Sequence, residues 1–482
     1  MDSSLLIDNI DVAASNGATF DRRNPLTSEV ATRAAAATVE DAIAAVESAA
    51  KAFPAWAKTG PNERRTLLLK AADVLESRTP EFTELMKEET GATAGWVKFN
   101  VGLAAGIMRE AAALTTQITG ETIPSDKPGC LSITIRQPVG VVLSIAPWNG
   151  PIILAVRAVA YPLACGNTVV LKASELSPGT HALIGQVMRD AGVPKGVVNV
   201  VSNAPADAGK IVGALIAHPA VRRVNFTGST KTGRVIAETA AKYLKPVLLE
   251  LGGKAPLVVL DDANLDEAVN AAAFGAFVYQ GQVCMSTERV VVDNSIADNF
   301  VAKFAVKANS IPVGNPRRGD VVIGTLIDPS AADRIDALVK EAIKDGAVLA
   351  AGGKREGTIM SPTILDHVTP KMRVYHEETF GPVTCVVRAR DVEDAIRIAN
   401  DTEYGLSAAV FGTDLNRAFA VAMRIDSGMC HINGPTVSDE AQIPFGGTKA
   451  SGYGRFGGKA VINEFTELRW ITIESGSQHY PF

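Results

Sequence analysis

Val221-Arg222-Arg223-Val224-Asn225-Phe226-Thr227-Gly228-Ser229-Thr230-Lys231-Thr232-Gly233 joins a β-branched run, a glycine and the start of a helical segment. A strand that breaks at glycine and resumes as a helix is the repeating unit of an α/β fold. Backbone N–H groups at such a helix start suit a pyrophosphate. The stretch is not the usual three-glycine dinucleotide fingerprint, because the third glycine spacing fails. Nor is it a P-loop, since Arg234-Val235 follow Gly233 where Lys-Ser/Thr is needed, so a nucleoside triphosphate is set aside.

The same alternation extends on both sides. Upstream, Val139–Ala146, Thr168–Lys172 and Val197–Val201 read as strands, and Val247–Leu249 follows downstream; Ser177–Ala191 and Asp207–His218 carry helical spacing between them. A second series begins after Gly252-Gly253. It has strands at Val258–Leu260, Arg289–Val292, Pro382–Arg388 and Ala408–Phe411, and helices at Asn264–Tyr279, Ser330–Asp345, Asp391–Asn400 and Asp414–Arg424. Helices are expected from Thr38, a candidate N-cap with Asp41 three residues on, to Gly91, and a fourth carries Trp96, Phe99, Leu103 and Ile107 on one face. Leu131–Gln137 and Glu467–Glu474 alternate polar and apolar residues and suggest a small exposed sheet for subunit contacts. The expected division is 1–120 with 139–250 for one domain, 251–463 for a second, and 121–138 with 464–482 for an oligomerisation element.

Composition narrows the function classes. The 482 residues are 47% hydrophobic, and 47 Lys+Arg against 52 Asp+Glu give a net charge of −5. That balance supports a large folded core and offers no basic footprint for nucleic acid. No apolar stretch is long enough to span a bilayer, and Met1-Asp2-Ser3-Ser4 opens no secretory signal, so a cytoplasmic protein without membrane partners is expected. Five Cys exclude a disulfide scaffold and favour a reducing compartment. The six His are scattered without ligand spacing, so no metal is expected.

Several short motifs offer chemistry. Cys284 follows Gln280-Gly281-Gln282-Val283 in an irregular loop, whereas Cys165, Cys385 and Cys430 lie in or beside apolar runs and Cys130 in an extended connector. A lone Cys is more often a small core residue than a nucleophile. Glu250 closes Val247-Leu248-Leu249 at a strand's carboxyl end, where desolvation would raise it toward a useful base; a Glu paired to a nearby cation fits the motif as well. Asn149 in Ala146-Pro147-Trp148-Asn149-Gly150-Pro151 presents an amide able to hold an oxyanion, although Asn-Gly is also ordinary turn chemistry. Lys172-Ala173-Ser174-Glu175 ends another strand with a cation and a carboxylate.

Taken together, these motifs resemble the aldehyde dehydrogenase superfamily from about Asn24 to Thr472. Glu377-Glu378-Thr379-Phe380-Gly381-Pro382, Pro444-Phe445-Gly446-Gly447 and Ser451-Gly452 add to the likeness. The resemblance implies a Rossmann-like cofactor domain, a second α/β catalytic domain and a small β oligomerisation element in a homodimer or homotetramer. It also implies a mechanism: Cys284 attacks an aldehyde to give a thiohemiacetal, Asn149 and the Cys284 N–H hold the oxyanion, hydride leaves to NAD, and Glu250 activates water against the thioester. Glu464 would be a second carboxylate relaying protons. Trp148, Lys172, Glu175, Gly228, Ser229, Glu378 and Phe380 would contact the cofactor. Glu175 favours NAD over NADP, and Lys172 beside it leaves NADP possible.

Departures from the family pattern bear on substrate. Gly150 stands where many members carry an aromatic, leaving room beside Asn149 for a ring substituent next to the aldehyde carbon. Arg157, seven residues on, offers a guanidinium to a phenolic oxygen or carboxylate, or is a solvated helix residue. Trp96, Phe99 and Leu103 would form the opposite wall of the tunnel, or plain core. These residues, with Ile432-Asn433-Gly434-Pro435-Thr436-Val437 and Tyr453-Gly454-Arg455-Phe456-Gly457-Gly458, look most like the aryl-aldehyde branch, which includes salicylaldehyde, vanillin and benzaldehyde dehydrogenases. Salicylaldehyde is the first choice, because its ortho hydroxyl needs the space at Gly150. A coenzyme A-acylating relative is the alternative, but such members generally lack the equivalent of Glu250. A non-catalytic structural relative is disfavoured by intact Cys284, Glu250 and Asn149.

Overall fold

The computed structural model describes residues 1–319 and 321–482. Five strands rich in Val, Leu and Ile, buried on both faces, lie side by side in parallel. Across the sheet they run Val247–Glu250, Val221–Thr227, Val141–Ile145, Thr168–Lys172 and Val198–Val201. Chain order runs outward in both directions from Val141–Ile145, so the connections diverge between it and Val221–Thr227. Open α/β sheets leave a ligand crevice at such a switch point, beyond the strands' carboxyl ends. The loops that leave those two ends are Ala146-Pro147-Trp148-Asn149-Gly150 and Gly228-Ser229.

Helices cover both faces. Pro151–Ala164 opens with proline at its first turn and is buried along its whole length, so it acts as a core element and not as a surface helix. Val39–Trp56 starts at Thr38 in a capping box, with Asp41 N donating to Thr38 Oγ1 (3.2 Å) and Thr38 N donating to Asp41 Oδ2 (2.9 Å).

Among the described residues the second sheet has seven strands, ordered Val348–Ala351, Thr363–Asp366, Val383–Ala389, Thr287–Asp293, Ala255–Val259, Ser407–Phe411 and Met429–Ile432. The Gly252-Gly253 turn separates Val247–Glu250 of the first sheet from Ala255–Val259 of the second. The chain also crosses back: Gly452–Tyr453, inside the span 251–463, pairs antiparallel with Leu249 and Glu250 and forms an edge of the first sheet. At the opposite edge lie Leu5–Ile7 and Ile10–Val12. Thr19–Arg23 and Val30–Ala35 join Asp2–Ser3 in a separate three-stranded sheet that the alternation did not signal.

The two extended pieces pair with each other. Thr466–Glu474 runs antiparallel to Cys130–Pro138 in unbroken register over nine residues, and Thr122–Ile123 adds a third strand. Leu131, Leu468, Trp470 and Ile473 remain exposed on this sheet. The helix expected at Asn264–Tyr279 is Leu265–Phe277, capped by Asn264. It stops short because Tyr279, Gln280 and Gly281 take successive left-handed φ values of 48°, 57° and 68°, which no α-helix tolerates.

Candidate active site

Three elements meet at the switch point. The first is the loop after Val141–Ile145, which presents Asn149. Trp96 Nε1 donates to the Asn149 carbonyl (3.0 Å), and Asn149 Nδ2 donates to Gln282 O (3.0 Å). The residue is thus held at its main-chain carbonyl and at one side-chain N–H, while its second N–H stays available to a ligand.

The second element is the loop ending at Cys284. Its left-handed run is held by side chains: Gln280 Nε2 donates to Thr325 O (2.8 Å), and Gln282 Oε1 accepts from Ile327 N (2.9 Å). At Gly281 a Cβ would lie 2.0 Å from Gly381 O, so close approach and positive φ both require glycine. Held backbone strain of this kind is common around reactive side chains.

The third is the end of Val247–Glu250. Glu250 lies opposite Thr227 on one side and Gly452 on the other, and is buried. Neither carboxyl oxygen has a well-formed hydrogen-bond partner among the described residues. Burial pushes the group up to about 7; the neighbouring Cys284 thiol, the Arg157 charge and the Thr227 hydroxyl oppose that rise. Burial and the Glu250 charge also push the Cys284 thiol well above its ordinary range. The pair therefore rests as a thiol beside a carboxyl that titrates near neutrality, a base matched to the operating pH.

Two cavities open onto this cluster, and Asn149 and Cys284 wall both. The larger, about 540 Å³, is mainly apolar, with Trp96, Phe99, Gly150, Phe274 and Phe445 in its walls. Trp96 stacks between Phe99 (5.3 Å) and Tyr279 (4.7 Å). A Cβ at Gly150 would meet nothing closer than Asn100 Oδ1 at 3.6 Å and Leu154 at 3.7 Å, so the glycine leaves open volume. Leu103 does not reach the walls; it sits a turn farther along Ala94–Leu114 than Phe99, packed against the core.

Arg157 lines this cavity but is neither the free cation nor the solvated residue expected. It is 3% exposed, donates to Asp439 Oδ2 (2.5 Å), and lies 4.5 Å over the Phe445 ring. A buried guanidinium without an anion is too costly to keep, and Asp439 supplies that anion. Nothing local in Ser438-Asp439-Glu440 signals this pairing across the chain.

The smaller cavity, about 270 Å³, is walled by Trp148, Gly228, Ser229, Gly252, Glu378 and Phe380 as well as Glu250 and Cys284. The Trp148 and Phe380 rings meet edge to face at 5.7 Å. Ser229 caps Thr230–Ala241 through Thr232 N (3.3 Å). Glu378 accepts from Gly253 N (2.9 Å) and is pushed up to about 8 by burial and the nearby Glu288 charge. A Cβ at Gly252 would come 2.6 Å from that carboxylate, so the wall is built of bare backbone. Backbone walls, a capped helix start and an aromatic pair suit a dinucleotide's phosphates and nicotinamide ring.

Lys172 and Glu175 lie outside these walls at the end of the adjacent strand. They form an ion pair, and Asn203 Nδ2 also donates to Glu175 (3.0 Å). Glu464 lines neither cavity. It accepts from Arg455 N (3.3 Å), comes against Gly454, and is raised by burial.

A model of the aldehyde dehydrogenase family matches residues 12–471. The chain is 60% identical over 481 residues to the vanillin dehydrogenase of Pseudomonas fluorescens, covering 100% of both chains. A crystal structure of a salicylaldehyde dehydrogenase from Pseudomonas putida G7 complexed with salicylaldehyde matches with a TM-score of 0.99 at 56% identity, covering 100% of both chains. The betaine aldehyde dehydrogenase of Staphylococcus aureus in complex with NAD+ matches with a TM-score of 0.95 at 33% identity, over 100% of this chain and 96% of that one. The chain belongs to the aldehyde dehydrogenase family.

Proposed function

We propose that this protein oxidises an aromatic aldehyde, salicylaldehyde foremost, to its carboxylic acid with NAD. One observation carries the reading: Cys284 and Asn149 stand where an apolar, aromatic-walled cavity meets a second cleft suited to a dinucleotide. An aldehyde in the first cavity puts its carbonyl carbon beside Cys284 Sγ. The Cys284 thiol gives up its proton to water as the C–S bond forms, and the free N–H of Asn149 Nδ2 with the Cys284 N–H holds the oxyanion. NAD, held by Trp148, Gly228, Ser229, Glu378 and Phe380, supplies the hydride acceptor when bound. Glu250 then draws a proton from water as its oxygen attacks the acylated Cys284; the C–S bond breaks and the thiolate returns.

Glu175 selects NAD through the ribose hydroxyls, and Lys172, paired with it, leaves NADP usable. The larger cavity and Gly150 support an aryl substrate with an ortho substituent. The similarity to a vanillin dehydrogenase at 60% identity favours vanillin as a second reading. Arg157 reaches substrate as half of an ion pair and not as a lone charge. The exposed Leu468, Trp470 and Ile473 support a homodimer or homotetramer built on the tail sheet. A reducing cytoplasm suits a protein whose nucleophile is a thiol; no helix among the described residues is long and apolar enough to cross a membrane.

The test is a kcat/KM panel with NAD over salicylaldehyde, vanillin, benzaldehyde and an aliphatic aldehyde. Aromatic preference of at least about tenfold is expected, equivalent to ~1.4 kcal/mol of transition-state binding. An aliphatic aldehyde that outperforms all three aromatic substrates refutes the substrate reading. Acid formed without added coenzyme A excludes the acylating alternative.

A further inference from the structure

We propose that Glu288, seated on Lys254, sets the affinity for the nicotinamide dinucleotide by locking the loop 378–380 onto the turn 252–253. This inference rests on the reading of Glu378 and Phe380 as part of the cofactor wall. It does not depend on which aldehyde is oxidised.

Glu288 lies in Thr287–Asp293, four residues after the nucleophile, and is almost wholly buried. Its carboxylate accepts from three residues. Thr379 N donates to it at 3.0 and 3.1 Å, Phe380 N at 3.0 Å, and the Thr379 hydroxyl also donates. Lys254 Nζ donates to Glu288 Oε2 at 2.6 Å and to Glu377 O at 2.7 Å. The other side of the loop is held through its carbonyls: Arg334 donates to Thr379 O (2.7 Å) and to Glu378 O (3.4 Å). Glu378 Oε1 in turn accepts from Gly253 N at 2.9 Å, one residue before Lys254.

The lock has a conformational task. Phe380 sits at φ 48°, a backbone region that a bulky residue leaves unless its surroundings hold it there. Two consecutive amides, 379 and 380, point at one carboxylate, and that convergence holds the turn in the strained form. With the anion removed, both amides lose their shared acceptor and Phe380 is free to relax, taking its ring from the edge of Trp148 and Glu378 from Gly253. A buried ion pair contributes little net stability compared with apolar side chains of similar size. Its distinctive contribution here is geometric. Glu288 and Lys254 are positioning residues: neither lines the cleft, and both act through residues that do.

The experiment uses the full-length protein and NADH as the probe, titrated by fluorescence without aldehyde. Glu288→Gln, the double variant Lys254→Met/Glu288→Met and Thr379→Val are compared with wild type, with Tm recorded for each. The double variant leaves no orphaned charge and keeps the fold testable. NADH Kd should rise at least about tenfold in the double variant and about threefold in Thr379→Val, with Glu288→Gln between them. KM for NAD should rise in parallel while KM for aldehyde and kcat at saturating NAD stay within about threefold. A role confined to stability lowers Tm or the active fraction and leaves NADH Kd unchanged. A folded Glu288→Gln or double variant whose NADH Kd lies within about twofold of wild type overturns the lock alone. Wild-type protein that binds no NADH overturns the cofactor-wall reading and the lock with it.

Discussion

Replacing Glu250 by Gln tests the active site and the fold together, with opposite signs. Burial holds the carboxyl at about 7 against an ordinary value of 4.5, a difference worth ~3 kcal/mol. Below pH 4.5 the group is protonated both folded and unfolded and costs nothing. Between pH 4.5 and 7 the unfolded chain releases the proton first, so the native state loses that stability as pH rises. Gln cannot ionise, so the variant should match wild type near pH 4 and exceed it at pH 8. For a chain of this length ~3 kcal/mol corresponds to a Tm gain of about 3 °C.

Activity should move the other way. The wild-type carboxylate is about half ionised at pH 7 and roughly a tenth at pH 6, so a deacylation-limited kcat should rise about fivefold over that unit and less than twofold from pH 7 to 8. Glu250→Gln should release one burst of NADH, stall as a Cys284 thioester visible by intact-mass spectrometry, and turn over about 10²–10⁴-fold more slowly. Two results refute the reasoning: steady turnover within about threefold of wild type, or the same pH slope in both proteins.

Cys284→Ala should abolish turnover while NADH titration is unchanged; retained turnover removes the thiol from the mechanism. Gly150→Phe should fold, because the glycine's Cβ position meets only ordinary contacts, and should reduce kcat/KM for ortho-substituted benzaldehydes at least about tenfold more than for benzaldehyde. Equal loss for both contradicts the assignment of space. Asp439→Ala strands the Arg157 guanidinium and should cost about 3–5 kcal/mol by denaturant unfolding, with Asp439→Asn costing less; a loss under about 1 kcal/mol means that the pair is not the anchor its burial suggests.

The parallel strands were readable because burial on both faces makes them continuous apolar runs. Val141–Ile145 and Thr168–Lys172 show this, and the loops leaving such strands drew attention to Asn149 and Glu250. Other elements left no local trace. Asp2–Ser3 and Gly452–Tyr453 are two residues long, too short for any period to register. Arg157 and Asp439 lie 282 positions apart, so their neutralisation depends on tertiary contact, and from sequence the guanidinium reads equally as a substrate ligand or a solvated helix residue. Glu288 follows the nucleophile closely, but its function becomes visible only when the amides of Thr379 and Phe380 converge on it. Leu103 shows the opposite failure: helical spacing gave it the correct face and could not say how far along the helix the cavity extends.

The return of Gly452–Tyr453 to the first sheet has a consequence for biosynthesis. Leu249 pairs with Tyr453, about 200 residues later in the chain. While the ribosome is still making the second sheet, the strand bearing Glu250 remains an open edge, a template for pairing with other nascent chains. Pairing across so long a separation is slow and exposed to aggregation. The first sheet therefore cannot close before the chain has been translated past the second, and folding and completion of the Glu250 strand become late, nearly simultaneous events.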